Sequence, residues 1–567
     1  MRLTAIELEN FKGIGSRQRI ALKPVTLLFG PNSAGKSTVL QALHYLREVL
    51  ERRNINPDVT IAGGLTDLGG FQAVVHNHDL GRPVWIKLEI DLGDEPGPAE
   101  LPLNGGGSLA AAIFEELQLR YLLGESERHK DYAIVQQAAL GVEVCWSEQE
   151  RSPYVSRINI ELNGQAIAGI VSQAGEGRAQ LTDFNFGHPL LLAVAEPDDD
   201  HISKTWSPLE DALRLLSREV AGDIKRATDE GHALFSPLAS ELRVGVMTKS
   251  GALPDLDREM ELAVRDPDTK KFEYEERTPR VLGLRALLDE MILGPARLVR
   301  NCLVKSTYIG PLREVPSRSY RPQISPDDAR WANGLAAWDL LNADRVGRLV
   351  TEVNSWLADE KRLNTGYQVE RVEYREVPVP SRLSQLFERG VDDDDLPELE
   401  ELYRGLQSRT EIALRDSDRG IIVSPSDIGV GISQLIPVVV AALRQQEGIL
   451  AIEQPELHVH PAIQVGLGDL FIRAAGIEQG GLRIEKTLLI ETHSEHLMLR
   501  LLRRIRETTD SELPPGSDPL LPENLSVIYV ESDEQGVQFR ALRVDKEGEF
   551  IDRWPKGFFE ERAEELF

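Results

Sequence analysis

The nine residues GPNSAGKST, 30–38, constrain the fold of this chain more than any other stretch. They match the pattern G-x-x-x-x-G-K-[ST], with Lys36 and Ser37 at its end. The apolar run Pro24 to Phe29 precedes them, and apolar residues at helical spacing follow from Val39 to Leu50. A strand, a glycine loop and a helix in this order bring backbone N–H groups to a helix N-terminus, where an anion binds. The alternative is a chance glycine-rich turn.

In such a loop the glycines let N–H groups converge on a β-phosphate, Lys36 adds positive charge, and the Ser37 hydroxyl reaches Mg²⁺. The sequence therefore predicts nucleotide binding. The predicted binding residues are Gly30, Pro31, Asn32, Ser33, Ala34, Gly35, Lys36, Ser37 and Thr38.

Composition narrows the class of protein. The chain has 567 residues, 41% of them hydrophobic and 28% charged, which is typical of a globular protein with several domain-sized units. Two cysteines are too few for a disulfide framework, the N-terminus lacks the apolar core of a signal peptide, and the apolar run 435–443 is too short to span a bilayer. We expect a cytoplasmic protein without membrane contact. The net charge of −28 argues against a broad DNA-coating surface but leaves a local basic groove open.

The order of strand and helix signals predicts an α/β fold. Strands and helices alternate beyond residue 409, which indicates a doubly wound parallel sheet divided between the two ends of the chain. Extended stretches between 83 and 186 predict an antiparallel sheet, and patterns such as LEDALRLLSREV predict a helical insertion. The predicted units are 1–186, the N-terminal lobe; 187–305, the helical insertion; 306–408, a mixed region; 409–531, the C-terminal lobe; and 532–567, a tail.

Three further stretches have the chemistry of a phosphate site. ILAIE ends a strand at Glu453, a candidate Mg²⁺ ligand. In residues 426–443 a glycine turn precedes a helix, so that Gly431, Ser433 and Gln434 could face an anion. TLLIETH ends a strand just before His493, whose ring could meet a γ-phosphate. Each has an alternative when taken alone: a solvent-facing acid, a helix cap and a structural histidine.

Together and in this order, these stretches resemble the ATP-binding-cassette heads of the SMC and RecF type, as does the ENFKG opening at residues 9–13. The resemblance implies a split ABC-type P-loop head that binds ATP and Mg²⁺. Residues 30–38 would be Walker A and 427–434 the signature loop, with Glu453 in Walker B and His493 as the switch histidine. It places His458 and His460 in the D-loop and makes Gln72 a candidate Q-loop residue, although a turn glutamine fits equally well.

In such heads the signature loop of one subunit closes over ATP held by the other, so the resemblance implies a homodimer with ATP between its heads. IEQPELHVHP, YIGPLR and IDRWPKGFF resemble more narrowly a group of bacterial AAA-family ATPases with a C-terminal domain of unknown function. These are relatives of OLD-type ATPases found in anti-phage defence. Only 36 residues follow Glu531, too few for the TOPRIM nuclease of OLD enzymes, so we expect a separately encoded effector, for example a nuclease.

Gln454 occupies the position where a hydrolytic glutamate is expected. An amide can orient water but cannot accept its proton, so the sequence predicts slow hydrolysis unless Glu456 or His493 acts as base. The predicted catalytic residues are Glu453, Gln454, Glu456 and His493, and the predicted metal ligands are Ser37 and Glu453.

Two alternatives stay open. Arginines at 313, 318 and 321 and at 500, 503, 504 and 506 could contact DNA, as in a RecF-like repair or recombination ATPase, or could pair with nearby acids. His458 and His460, with His493 and His496, could bind zinc, with D-loop packing as the alternative.

Overall fold

The computed structural model describes residues 1–51, 61–62, 66–93, 135–174, 178–182, 184–185, 187–191, 193–194, 205–206, 244–258, 262–265, 272–273, 288–318, 320–477, 486–534 and 536–555. These residues form two main sheets, a smaller three-stranded sheet and the helices that cover them.

A six-stranded sheet joins the two ends of the chain. Its strands, in spatial order, are Thr307–Ile309, Gly448–Glu453, Lys486–Glu491, Val25–Phe29, Leu525–Asp533 and Gly536–Leu542. All neighbouring pairs are parallel except the last. The strand before the phosphate loop thus lies between two strands that follow it by more than 450 residues, which confirms the predicted split head.

Both faces of this sheet are buried, as expected for parallel strands. Side chains alternate between two hydrophobic cores: Leu28 and Leu489 belong to one, and Leu27 and Ile490 to the other. The first core contains helices Ser37–Glu51 and Gly294–Val304. The second contains helices Leu335–Ala343, Arg348–Leu357, Val430–Leu443, Pro461–Ala474 and Glu495–Thr509.

The antiparallel sheet has eleven strands within the described ranges. Its main path runs Phe272–Glu273, Leu262–Arg265, Val244–Ser250, Arg178–Thr182, Gln165–Val171, Ser152–Leu162, Gln137–Ser147, Val84–Asp91, Arg2–Glu9 and Gln18–Ala21, and Leu253–Pro254 pairs with Val244–Ser250. The described stretches between 83 and 182 therefore form the sheet that their pattern predicts, and residues 94–134 lie outside the described residues.

The insertion at 187–305 is only partly helical. The π-helix Asp289–Leu293 and the helix Gly294–Val304 lie at the end of this range, whereas the strands between 244 and 273 extend the antiparallel sheet. LEDALRLLSREV lies outside the described residues. Short two-stranded pairs join Ala193–Val194 to Thr205–Trp206 and Ile61–Ala62 to Thr66–Asp67.

Three other predicted boundaries differ from the structure. Thr307–Ile309, in the predicted mixed region, is an edge strand of the parallel sheet, and the hairpin Leu525–Asp533 with Gly536–Leu542 crosses the boundary at 531. The mixed region also contains helices Asp328–Ala332, Leu335–Ala343, Arg348–Leu357, Arg382–Arg389 and Leu396–Gly405. Its strand Tyr367–Arg375 pairs with Ser408–Asp416, which crosses the predicted boundary at 408 and pairs in turn with Ile422–Val423. Among the helices that the structure describes, none combines the length and apolar character needed to cross a bilayer.

Candidate active site

The phosphate loop packs against the C-terminal hairpin, and this contact explains its glycines. Gly30 has a φ of 149°, and a Cβ atom there would lie 2.1 Å from the Val530 carbonyl oxygen. At Gly35, with a φ of 97°, a Cβ would lie 2.7 Å from Cγ2 of Val537. The Lys36 ammonium donates to the carbonyls of Gly30 and Pro31, at 3.1 and 2.8 Å. Only glycine fits both positions without moving the hairpin.

Ser37 and Lys36 meet Glu491, the last residue of the neighbouring strand. The Ser37 hydroxyl donates to Glu491 Oε2 at 2.7 Å, and Lys36 Nζ lies 3.8 Å from Glu491 Oε1. Sequence reasoning gave Glu491 no role, although TLLIE ends at a carboxylate just as ILAIE does. Strand pairing brings the two ends together, because Glu453 and Glu491 stand opposite each other in register.

Glu453 lies in a partly buried position beside this group. Tyr308 donates its hydroxyl to Glu453 Oε1 at 2.9 Å, and the His44 ring stands edge-on to the Tyr308 ring at 5.0 Å. Burial, followed by the charge of Glu491, raises the pKa of Glu453 to about 7. Tyr308, in YIGPLR, is a positioning residue that sequence reasoning missed.

The donor set fits the predicted Mg²⁺. Mg²⁺ prefers hard oxygen ligands and is commonly held by one or two carboxylates, a hydroxyl, waters and the nucleotide phosphates. The Ser37 hydroxyl and the carboxylates of Glu453 and Glu491 provide such oxygens at the end of the phosphate loop. The raised pKa of Glu453 beside Glu491 indicates uncompensated negative charge that a cation would relieve.

Arg313 is the third residue of this site that the sequence did not place here, after Glu491 and Tyr308. Only 3% exposed, it donates from Nη2 to the carbonyls of Glu453 and Gln454, at 2.6 and 3.2 Å. Its own carbonyl accepts from the Gln434 side chain at 3.4 Å. Burial lowers the pKa of Arg313 to about 10, and its Nε and Nη1 find no hydrogen-bond partner within the described part of the chain. Arg313 therefore joins the turn after Glu453 to the helix that begins at Val430, and its burial does not support the DNA contact that the sequence left open for it.

Gln454 begins a tight turn rather than continuing the strand. Its φ is 45°, its N–H donates to the Glu491 carbonyl at 2.7 Å, and its carbonyl accepts from Leu457 N–H at 3.1 Å. Both ends of this turn are tied to neighbouring elements, so the residue at 454 is held at the edge of the site.

Glu456 connects this turn to the switch histidine. Its carboxylate accepts from the Thr492 hydroxyl at 2.8 Å and from the His493 backbone N–H at 2.7 Å, and burial raises its pKa. His493 Nε2 is buried without a partner among the described residues, and burial together with the charge of Lys36 lowers the pKa of His493. The imidazole is therefore neutral near pH 7 and close enough to Lys36 to sense its charge.

Ser433 and Gln434, which the sequence places where they could face an anion, are buried inside the protein. Ser433 is fully buried and donates to the Pro425 carbonyl at 2.8 Å, and Gln434 is only 7% exposed. A Cβ at Gly431 would lie 2.2 Å from the His458 carbonyl oxygen. These three residues and the apolar side chains that follow them hold the helix Val430–Leu443 in place, since those apolar side chains belong to the hydrophobic core. The exposed part of the turn is Ser426, Asp427, Gly429 and Val430.

The remaining predicted residues lie outside this constellation. His458 and His460 are exposed, and His460 caps the helix Pro461–Ala474 through Ala462 N–H. The described residues contain no group of three or more His, Cys, Asp or Glu side chains that could hold a metal, so the zinc hypothesis gains no support. Gln72 is exposed on the short helix Phe71–Val74, where its carbonyl contacts the His78 ring.

The second arginine cluster is largely structural. Arg504 is buried and pairs with Asp469 at 2.6 Å and with Glu507, while Arg503 pairs with Glu507 at 2.6 Å. These pairs follow the alternative interpretation of the sequence, in which helix-borne arginines bind neighbouring acids.

Three family models match parts of the chain. An AAA ATPase domain matches residues 1–92, and a model described as "AAA domain, putative AbiEii toxin, Type IV TA system" matches residues 316–499. A protein of unknown function, DUF3696, matches residues 520–567.

Two curated proteins are similar over part of their length. The DNA replication and repair protein RecF of Roseiflexus castenholzii is 37% identical over 93 residues, which are 16% of this chain and 21% of RecF. Arcadin-4 of Pyrobaculum calidifontis is 26% identical over 249 residues, which are 42% of this chain and 29% of Arcadin-4. The chain therefore spans less than a third of either relative.

Solved SMC heads align along nearly the whole chain. The SMC head bound to the C-winged helix domain of ScpA aligns with 96% of this chain and 98% of its own, at 10% identity and a TM-score of 0.35. The SMC head domain from Thermotoga maritima covers 96% and 100%, at 10% identity and a TM-score of 0.34. The sheet order and the two AAA matches together indicate a split P-loop ATPase head.

Proposed function

We propose that this protein binds Mg²⁺ and ATP, dimerises through its ATP-loaded heads, hydrolyses ATP slowly, and acts as the sensor or regulatory subunit of an anti-phage defence complex whose effector is a separate polypeptide. One observation supports the dimer most directly. The glycine turn before Val430 is exposed, whereas the residues that follow it, Gly431 and Ser433, pack against other parts of the same subunit. A helix N-terminus exposed in this way can meet a phosphate from outside.

The phosphate loop supplies the other half of such a site. Lys36, Ser37, Glu453 and Glu491 converge at the ends of adjacent strands, and His493 stands beside them. Bound Mg²⁺ would neutralise charge on the β and γ phosphates. Two copies arranged about a twofold axis would place each exposed turn over the partner's loop, since an isologous interface uses the same patches twice.

Slow hydrolysis follows from the turn at Gln454. The amide cannot take a proton from water, and the nearby Glu456 carboxylate already accepts from Thr492 and His493. Such an ATPase would stay in its nucleotide-bound state for a long time, which suits a switch more than a motor.

The defence role is supported by the motif resemblance and by the family description that mentions a type IV toxin–antitoxin system. The alternative is a DNA repair or recombination ATPase, supported by the similarity to RecF over the first AAA domain. Purification from the native operon would favour the first if a partner protein is recovered. ATPase activity that duplex DNA stimulates in the isolated protein would favour the second.

Mixed subunits test the composite site directly. Lys36→Ala disables the phosphate loop, and Gly429→Asp places a carboxylate in the exposed turn, where a Cβ meets nothing within 4 Å. Each variant alone should be inactive. In an equal mixture, half of the dimers would contain one intact composite site, so about a quarter of wild-type ATPase should return. If the mixture stays inactive while both proteins are folded and form mixed dimers, hydrolysis does not use a site shared between subunits.

A further inference from the structure

A cavity of about 420 Å³ lies beside the exposed glycine turn, outside the phosphate loop. Residues 316–318 and 320–322, the helix Leu335–Ala343 and the strand Ser408–Asp416 form its walls, and Ser424 and Pro425 form the side nearest the turn. Its size is within the range of small-ligand sites.

The lining is positively charged in a strongly acidic chain. Arg318, Arg321 and Arg409 line the cavity together with one acid, Glu411, although the net charge of the protein is −28. Arg318 pairs with Asp427 at 3.0 Å and Arg409 with Glu376 at 2.9 Å. Because these pairs are exposed, they are weak, and an anion could replace the carboxylates at little cost.

Aromatic and amide groups line the same cavity. Tyr374 is 39% exposed, and Trp338 is fully buried with an indole N–H that lacks an acceptor in the described structure. Because a ligand cannot reach a fully buried indole, the exposed Tyr374 ring is the aromatic surface that the cavity offers. The Asn342 side chain already has a protein partner, because it donates to the Thr410 carbonyl at 2.9 Å.

The wall behind the lining is rigid. Asp339, on the same helix as Trp338, accepts from Arg330 at 2.6 Å, from the Gln323 backbone N–H at 2.8 Å and from the Tyr320 hydroxyl. A charged group that is neutralised and hydrogen-bonded in this way holds its neighbours in one geometry. The backbone on both sides of Arg321 is therefore anchored through Tyr320 and Gln323, which holds this wall of the cavity in place.

We propose that this cavity binds a nucleotide, with the guanidinium groups on its phosphate and the Tyr374 ring beside its base. Guanidinium groups recognise phosphate oxygens in bidentate geometry, and bases stack on aromatic rings. The nucleotide is either free or the phosphorylated end of a strand, since both carry the same chemistry.

The cavity is connected to the exposed turn that, in the proposed function, completes the ATPase site. An anion that takes Arg318 releases Asp427 in the exposed turn, and Pro425, which lines the cavity, accepts from Ser433 in the first turn of the following helix. This regulatory step rests on the proposed function, because it needs the turn to meet the partner's ATP. Binding itself does not depend on it.

The test uses the full chain with Lys36→Ala, so that the phosphate loop does not contribute. Equilibrium dialysis would measure binding of AMP, GMP and ATP, and of a 5′-phosphorylated five-nucleotide single strand. We expect saturable binding that Arg321→Glu with Arg409→Glu weakens at least about tenfold. The matched control Arg404→Glu changes an exposed arginine on the helix Leu396–Gly405, away from the cavity lining, and should bind like the parent.

A second variant tests the aromatic ring. Tyr374→Ala removes the exposed ring and should weaken binding several-fold, while the thermal transition stays near that of the parent because the ring is not part of the core. Tighter binding of AMP, GMP or ATP than of the strand identifies a free nucleotide as the ligand, and the reverse identifies a strand end. The proposal is overturned if neither probe binds at millimolar concentration, or if the double glutamate variant binds as well as the control. ATP-dependent dimerisation of the wild-type protein is measured separately, so failure of the cavity proposal leaves the proposed function standing.

Discussion

Glu453 and Glu491 stand opposite each other at the carboxyl ends of adjacent parallel strands, one tied to Tyr308 and the other to Ser37. Both carboxylates face the end of the phosphate loop, and this closeness makes the site sensitive to pH before any cation binds.

Glu453→Gln should change how stability depends on pH. Folding raises the pKa of Glu453 from 4.5 to about 7, so the native state binds the extra proton and loses stability as pH rises through that window. In nucleotide-free protein, the unfolding free energy of the variant relative to that of wild type should therefore rise by up to about 3 kcal/mol between pH 4.5 and 7. Chemical denaturation at each pH measures the difference. A difference in unfolding free energy between variant and wild type that stays constant from pH 4.5 to 7 would contradict the raised pKa of Glu453.

Gly429 and Gly431 should respond differently to alanine. At Gly431 the new Cβ would lie 2.2 Å from the His458 carbonyl, so Gly431→Ala should lose about 1–3 kcal/mol of unfolding free energy. Gly429→Ala meets nothing within 4 Å and keeps an ordinary φ of −56°, so its stability should match wild type. Thermal unfolding of the two purified variants compares them; equal stabilities would show that the contact at Gly431 is not close.

Arg313→Met should reduce turnover more than ATP binding. The guanidinium holds the carbonyls of Glu453 and Gln454, so its loss loosens the hydrolytic turn without removing a phosphate contact. We expect kcat to fall about tenfold or more, equivalent to at least about 1.4 kcal/mol, with KM for ATP nearly unchanged. Arg313→Lys should recover only part of the rate, since lysine lacks the planar fork. A rise in KM at constant kcat would instead place Arg313 in ATP binding.

Gln454→Glu should accelerate hydrolysis. A carboxylate at this position can accept a proton from water, and general-base catalysis contributes about 10² to 10⁴-fold when the base is well placed. Steady-state phosphate release at saturating ATP compares the variant with wild type. No increase in the variant, with ATP binding intact, would mean that the amide is not what limits the rate.

Glu456→Gln distinguishes a structural role of Glu456 from a role as the catalytic base. The amide can satisfy only one of the donors from Thr492 and His493, so stability should fall by about 1–3 kcal/mol. If Glu456 is also the base, single-turnover hydrolysis falls far more than ATP binding does. Brisk wild-type turnover together with an unaffected Glu456→Gln variant would contradict our account of this site.

The sequence predicted the parallel sheet well because its strands are short apolar runs that end at motif residues, as in ILAIE and TLLIE. Tyr308 and Arg313 were not predicted as site residues, since they reach Glu453 across 145 and 140 positions and no local pattern encodes such contacts. Ser433 was expected at the surface from its place after a glycine turn, but the apolar helix that follows draws it into the core. Strands between 244 and 273 are too short to give a clear alternation, which led to the helical expectation there.

The position of Val25–Phe29 in the sheet also fixes when the nucleotide site can form. This strand is made early, yet both of its neighbours, Lys486–Glu491 and Leu525–Asp533, follow it by more than 450 residues. At ribosomal speeds the wait is roughly 20 to 90 seconds, during which an apolar strand lacks its partners and needs protection from aggregation. The nucleotide site that we propose therefore cannot assemble its strands until the chain has been translated through Asp533, so nucleotide binding would report that synthesis has passed this point.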